Sequence, residues 1–123
     1  MTTQTNVKPG AGWADLGAGD AIPSLTLPPI SRTTLALFAG GSGDHNPIHI
    51  DLDVAKAAGM PDVFAHGMLS MAWLGRMLTD WAPQSALRGF STRFVAITQV
   101  HETITCTGTV VETLERGGER LVR

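Results

Sequence analysis

Residues 1–12 are polar and glycine-containing, with no apolar periodicity. They are expected to form a flexible lead-in. They are not read as a signal peptide, because no basic start followed by an apolar run is present. Residues 24–27 alternate polar and apolar, and Pro28-Pro29 follows. That pattern predicts a short edge strand, since proline cannot donate to a ladder. Ser31 is a fitting helix N-cap. Leu35, Phe38 and Ala39 then form one apolar helical face, which Gly40-Gly41 is expected to end. Residues 41–50 read as a loop with a turn at Asn46-Pro47. Asp51 is the expected N-cap of a second short helix with Val54, Ala57 and Ala58 on its inner side, stopped by Gly59-Met60-Pro61.

A third helix is predicted over Gly67–Trp81, roughly 22 Å long at about 1.5 Å per residue. Its apolar residues, including Met68, Leu69, Met71, Trp73, Leu74, Met77 and Trp81, cover nearly the whole circumference. A helix apolar all round is a buried one. From Ala86 the period changes. Phe90, Thr92, Phe94 and Ala96 alternate with Gly89, Ser91, Arg93 and Val95, which predicts a strand. Residues 102–114 read as a second strand, with Ile104, Cys106, Val110, Glu112 and Leu114 on one face and Thr103, Thr105, Thr107 and Thr109 on the other. Arg116-Gly117-Gly118-Glu119 is a hairpin signal, and Leu121 and Val122 begin a further strand. One buried helix followed by long antiparallel strands implies an α+β arrangement, a sheet wrapped around that helix.

The chain has 123 residues. Area scaling gives a folded surface of about 6,300 Å² against about 19,000 Å² extended, enough burial for one core and no second catalytic domain. Charged residues are 16% of the chain, against roughly 25% in a typical soluble domain. The mean hydropathy is +0.10. The shortfall in charge implies that some surface is buried against another subunit. Net charge is −2, with no block of like charge, so neither nucleic acid nor a membrane surface is an expected partner. Residues 68–78, the longest apolar stretch, are interrupted by Ser70, Gly75 and Arg76 and too short to span a bilayer. Cys106 is the one cysteine. It excludes an intramolecular disulfide and a Cys-based zinc site, and it suits a reducing, cytoplasmic setting.

The densest chemistry is Ser42-Gly43-Asp44-His45-Asn46-Pro47-Ile48-His49. A carboxylate and an imidazole flank a proline turn that could aim both at one point, where they would hold a water and exchange its proton. The alternative is structural, with Asp and Asn side chains bonding their own backbone. His45, His49, Asp51 and His66 are possible N/O metal ligands, but their spacing matches no metal motif and no metal is expected. Ala65-His66-Gly67-Met68-Leu69 opens the third helix. Gly67 either permits tight packing there or lets a ligand approach a helix N-terminus, a position that suits a developing oxyanion. Met68, Met71 and Met77 are either core or the wall of an acyl tunnel. Trp73 and Trp81 are read as core or dimer contacts, Arg88 and Arg93 as solvated, and Cys106 as inert.

These two motifs, in this order and with a short helix between them, resemble the MaoC-like hydratase/dehydratase family. That family includes the (R)-specific enoyl-CoA hydratases and the dehydratases of fatty-acid-type synthesis. The resemblance runs from about Asp15 to the end. It implies a hot-dog fold over residues 13–123, and homodimers or heterodimers joined through the sheets. It also implies reversible hydration of trans-2-enoyl thioesters to (R)-3-hydroxyacyl thioesters, carried on coenzyme A or acyl carrier protein, with no further cofactor. Asp44 would take a proton from the attacking water. His49 would position that water and deliver a proton to the α-carbon. The Gly67 N–H would hold the thioester oxygen, Asn46 would brace the loop, and His66 and Met68 would border the substrate. An aspartate base calls for a desolvated site, which Ile48, Phe64, Met68 and Leu69 are expected to supply. His45 stands where the family often has an apolar residue, and is expected to face solvent. The family usually carries more strand after the Gly117-Gly118 turn, so the domain reads as short at its C-terminus, either truncated or completed by a partner. Two other activities fit the same fold: a subunit of a hetero-oligomeric dehydratase that leaves the chemistry to its partner, and an acyl thioesterase.

Overall fold

The computed structural model describes residues 15–123; the expected lead-in over 1–12 lies outside them. Four strands and three α-helices follow in the order β1 (Ala21–Thr26), α1 (Arg32–Ser42), α2 (Leu52–Ala57), α3 (Gly67–Trp81), β2 (Thr105–Thr109), β3 (Thr113–Arg116) and β4 (Glu119–Val122). A 3-10 turn at Pro47–His49 precedes α2, and another at Gln84–Ala86 follows α3. The described residues group into two compact units.

One unit comprises residues 26–74 and 91–105. Ser31 caps α1, its Oγ accepting from the Thr34 N–H at 3.0 Å. The helix does not stop at Gly40-Gly41. It continues to Ser42 because the left-handed conformation that ends a helix is supplied by Gly43 (φ 80°), whose N–H returns to the Ala39 carbonyl at 3.0 Å. Asp51 caps α2 as expected, accepting from Asp53 and Val54. The inner residue of α2 is Ala55, however, while Val54, Ala57 and Ala58 are exposed. Six residues make under two turns, so one side chain alone points straight at the core. Ile30, Leu35, Ala55, Val63, Ala65, Leu69 and Val100 form that core, with Phe38, Met60, Trp73 and Ile104 packed against it. Arg32 grips Asp62 with two hydrogen bonds, Nε to Oδ1 at 3.1 Å and Nη2 to Oδ2 at 2.6 Å.

Backbone pairing here runs beyond the regular strands. Leu27 N–H donates to Ile104 O (2.9 Å), Ile30 N–H to Glu102 O (3.0 Å) and His101 N–H to Ile30 O (2.7 Å). Pro28 and Pro29 lack the donors that would make this a continuous ladder, and so the strand expected from residue 102 begins at Thr105. Residues 63–66 are anchored through Ala65 N–H to Thr98 O at 2.9 Å and a bridge between Phe64 and Gln99.

The other unit comprises residues 15–25, 75–90 and 106–123. β1 and β2 form one two-stranded sheet and β3 and β4 another, the latter antiparallel with Arg116 opposite Glu119. Gly117 (φ 60°) and Gly118 (φ 81°) supply the two left-handed residues of a tight hairpin turn, as the sequence predicts. Ile22 packs on the bare face of Gly108, where a Cβ would lie 2.8 Å from its Cδ1. Arg88 pairs with Glu119 at 3.0 Å, and Arg123 pairs with Glu112. Cys106 is buried, and burial pushes its thiol above the usual range, as suits an inert residue.

Three expectations need correction. Residues 102–114 are not one strand. The chain changes partner between β2 and β3, where Val110 N–H still bonds Asp20 O while Val111 N–H already bonds Arg123 O. Residues 90–96 enter no ladder among the described residues. The helix α3 is not buried all round: Leu69 and Met77 are buried, but Met68 and Ala72 are exposed. In both cases the apolar pattern records surface that the described chain does not itself cover.

Leu35 is 0% exposed and Leu37 72% exposed on the same helix. Leu35→Ala is expected to lower unfolding free energy by about 2–5 kcal/mol. Leu37→Ala should stay within about 0.5 kcal/mol of wild type, both read from urea unfolding. The Arg32 hydrogen bonds, with a further one from the Val63 N–H, hold the Asp62 carboxyl below the usual carboxylate range, against an opposing effect of burial. A lowered folded value means the pairing stabilises at pH above the ordinary carboxylate range and is lost as pH falls through the folded value. Asp62→Asn is therefore expected to flatten the acid limb of the melting-temperature profile while neutral-pH melting falls modestly.

Candidate active site

The loop from Ser42 to the 3-10 turn is built by alternate side chains that each bond the backbone two residues on. Ser42 Oγ accepts from Asp44 N–H (3.2 Å), Asp44 Oδ1 from Asn46 N–H (3.2 Å) and Asn46 Oδ1 from Ile48 N–H (3.1 Å). Pro47 falls between these donors, so its missing N–H costs nothing. The structural and the chemical readings of the motif therefore hold together. The Asx turns exist, and they leave Asp44 Oδ2 and the His49 ring free to face a common point. Asn46 braces the loop. His45 is exposed, its Nδ1–H bonded to Gly43 O at 3.1 Å.

Two imidazoles then cross between the loop and the segment that leads into α3. His49 Nδ1 lies 2.7 Å from the Phe64 carbonyl, and His66 Nε2 lies 3.1 Å from the Asp44 carbonyl. A carbonyl only accepts, so each of these nitrogens carries the proton. The free nitrogens are His49 Nε2 and His66 Nδ1, and the latter is buried with no partner among the described residues. The rings stack, centroids 3.9 Å apart at 28°. Phe64 meets His49 edge-on at 5.0 Å, and Phe38 meets the His66 ring edge-on at 4.9 Å.

Asp44, His49 and His66 each place a polar atom within 4.8 Å of the others. His45 and Asp51, also weighed as ligands, lie outside this group. A tetrahedral metal site needs lone pairs that converge from well-separated directions. Each ring here already spends one nitrogen on a backbone carbonyl, and the three side chains stand close enough to share one small ligand or a proton.

Gly67 is the first residue of α3, where backbone N–H groups lack acceptors within the helix. Its open side is filled by the Phe94 ring, since a Cβ would lie 3.2 Å from Cδ1. The glycine thus lets the Phe94 ring rest on the start of α3, and Phe94 is a residue with no role in the sequence reading beyond strand alternation. His66, at 1% exposure, lies against Asp44 and His49, while Met68 stands exposed on α3. The expected desolvation is also incomplete. Phe64 and Ile48 are half-buried and Leu69 lies in the core, but Asp44 itself is exposed.

A family model described as the MaoC like domain matches residues 22–122. The chain belongs to the MaoC-like family. Among members of that family, an (R)-specific enoyl-CoA hydratase from Rhodospirillum rubrum is 35% identical over 83 residues, which is 66% of this chain and 58% of that protein. This chain thus spans less than two-thirds of that relative's length. The unliganded (R)-hydratase PhaJ1 of Pseudomonas aeruginosa superposes with a TM-score of 0.75 at 26% identity, over 90% of this chain and 79% of that one. A chain of the ChsH1-ChsH2 complex from Mycobacterium tuberculosis gives 0.70 at 27% identity, over 81% and 78%. These likenesses place the MaoC-like chain in the α+β hot-dog class expected from its motifs.

Because Phe94 is 54% exposed and free to yield, and alanine is favoured over glycine in a helix by up to about 1 kcal/mol, Gly67→Ala should leave stability nearly unchanged. The substitution is expected to displace the Phe94 ring, read as a shift of its aromatic proton resonances with an unchanged urea midpoint.

Proposed function

We propose that this chain adds water reversibly to trans-2-enoyl thioesters, giving (R)-3-hydroxyacyl thioesters, a carbon–oxygen lyase reaction. The observation that carries this reading is the meeting of Asp44 and His49 within 4.8 Å. Asp44 Oδ2 takes a proton from water as the water oxygen bonds the β-carbon. The electron pair of the double bond moves toward the α-carbon and the thioester oxygen, which the Gly67 N–H receives. Asp44 passes that proton to the bare Nε2 of His49, whose Nδ1–H stays on the Phe64 carbonyl, and His49 delivers it to the α-carbon, so both groups are restored and the sum is one water added. The thioester itself acidifies the α-position, so the step calls for no cofactor beyond its carrier, coenzyme A or acyl carrier protein. The lone buried Cys106 suits a cytoplasmic setting. Among the described residues no helix is long and apolar enough to cross a membrane.

The partner is a second hot-dog subunit, identical or related, docked through residues 91–97. Val95 there is 83% exposed, Phe94 and Ile97 are also exposed, and no backbone group of the segment bonds another described residue. An unpaired apolar edge of this kind invites strand pairing. Such docking would also help to enclose Asp44. The likeness to a chain of the ChsH1-ChsH2 complex favours a second reading, in which the partner is a different subunit and activity needs both.

Asp44→Asn and His49→Ala are each expected to cut hydration of a short trans-2-enoyl-CoA by at least about a hundredfold, with circular dichroism unchanged. Near-wild-type rates in both would contradict the assignment. Activity that arises only with a related subunit would establish the second reading, and release of free thiol would mark a thioesterase.

A further inference from the structure

Among the described residues His66 is the one fully buried polar side chain, at 1% exposure. Such a residue needs its hydrogen bonds met, since a buried group left unpaired costs about 1–3 kcal/mol. Its Nε2–H bonds the backbone carbonyl of Asp44, and one face of its ring carries the His49 ring at 3.9 Å. The Phe38 ring meets it edge-on at 4.9 Å. With Nε2 committed to a carbonyl, Nδ1 is the bare nitrogen, which is cheaper to bury unpaired than an N–H. The ring is therefore held from two aromatic neighbours and one carbonyl, and it touches both members of the reacting pair.

We infer that His66 is a positioning residue for the Asp44/His49 pair, acting through the Asp44 backbone and the His49 ring and not through the substrate. This rests on the hydratase reading for its kinetic consequence, but not for its structural one. The contacts are reciprocal: the loop's histidine grips a carbonyl of the 63–66 segment, and that segment's histidine grips a carbonyl of the loop. Each imidazole fixes the tautomer of its own ring and the stacking fixes its plane. Together they set the separation between Asp44 Oδ2 and His49 Nε2. No other described side chain bonds the Asp44 carbonyl, so without His66 the loop would be held to the segment by His49 alone.

Two variants separate the contacts. His66→Phe keeps the stacked ring and removes the N–H; His66→Gln keeps an amide donor and removes the ring. Both are expected to lower kcat by about tenfold to a hundredfold, the scale of a misplaced reacting group, with KM for a short trans-2-enoyl-CoA within about twofold of wild type. A raised KM with unchanged kcat would mark a substrate contact and overturn the proposal, as would wild-type kcat in His66→Phe. The structural half is read without turnover. Long-range ¹H–¹⁵N spectra of the wild-type histidines should show the proton on Nε2 in His66 and on Nδ1 in His49. The His49 ring resonances should then shift in His66→Gln. The opposite tautomer in His66, or an unmoved His49 in His66→Gln, would overturn the proposal even if the chain proved to have no hydratase activity.

Discussion

The site depends on one exchange of hydrogen bonds, in which two histidines reach in opposite directions across a single gap. His49 leaves the 42–49 loop to bond the Phe64 carbonyl, and His66 leaves the segment before α3 to bond the Asp44 carbonyl. Each bond alone would tether one atom. The two together, with the rings stacked between them, hold two stretches of chain in register over a distance shorter than a side chain. Everything chemical follows from that register: which oxygen of Asp44 is free, which nitrogen of His49 is bare, and how near they stand.

That exchange works only on firm footings. The loop is firm because Ser42, Asp44 and Asn46 answer the N–H groups two residues ahead, and because Gly43 closes α1 behind them. The other footing is firm because Val63 and Ala65 are buried in the core beside Leu35 and Leu69, while Ala65 is bonded to Thr98. Local side-chain chemistry shapes one side and hydrophobic burial the other. Phe94 adds a third element by resting its ring on Gly67, so the helix terminus next to the pair is covered by a residue from an unpaired segment.

Much of this was legible in the sequence wherever the cause is local. Ser31 and Asp51 announce helix starts through their own backbone bonds, and Gly117-Gly118 announces a turn through its conformational freedom. The alternation of Ser, Asp and Asn around Pro47 encodes the loop directly. The sequence was misleading where the cause lies in a partner distant in the chain. The period-two pattern of residues 90–96 is that of a strand, but a strand forms only with a partner, and no described segment pairs with this one. The apolar circumference of α3 likewise speaks of cover that the chain does not itself supply. His66 stood in a recognisable motif, yet its burial and its bond to Asp44 depend on a loop 22 residues earlier, which no local pattern reveals. Pro28 and Pro29 lie just past the end of β1 at Thr26, and their effect on the opposite strand depends on residues far along the chain.

In the proposed hydration the loop is a rigid holder that presents a carboxylate and an imidazole from one side to a flat double bond. The hydroxyl and the α-proton are then added to a single face of the substrate. The direct measurement is hydration of a trans-2-enoyl thioester in D₂O, with the configuration at both new centres assigned by NMR. The account predicts deuterium and hydroxyl on the same face, with the hydroxyl carbon in the R configuration. Anti addition, or an S hydroxyl, would require groups on both sides of the substrate and would contradict it.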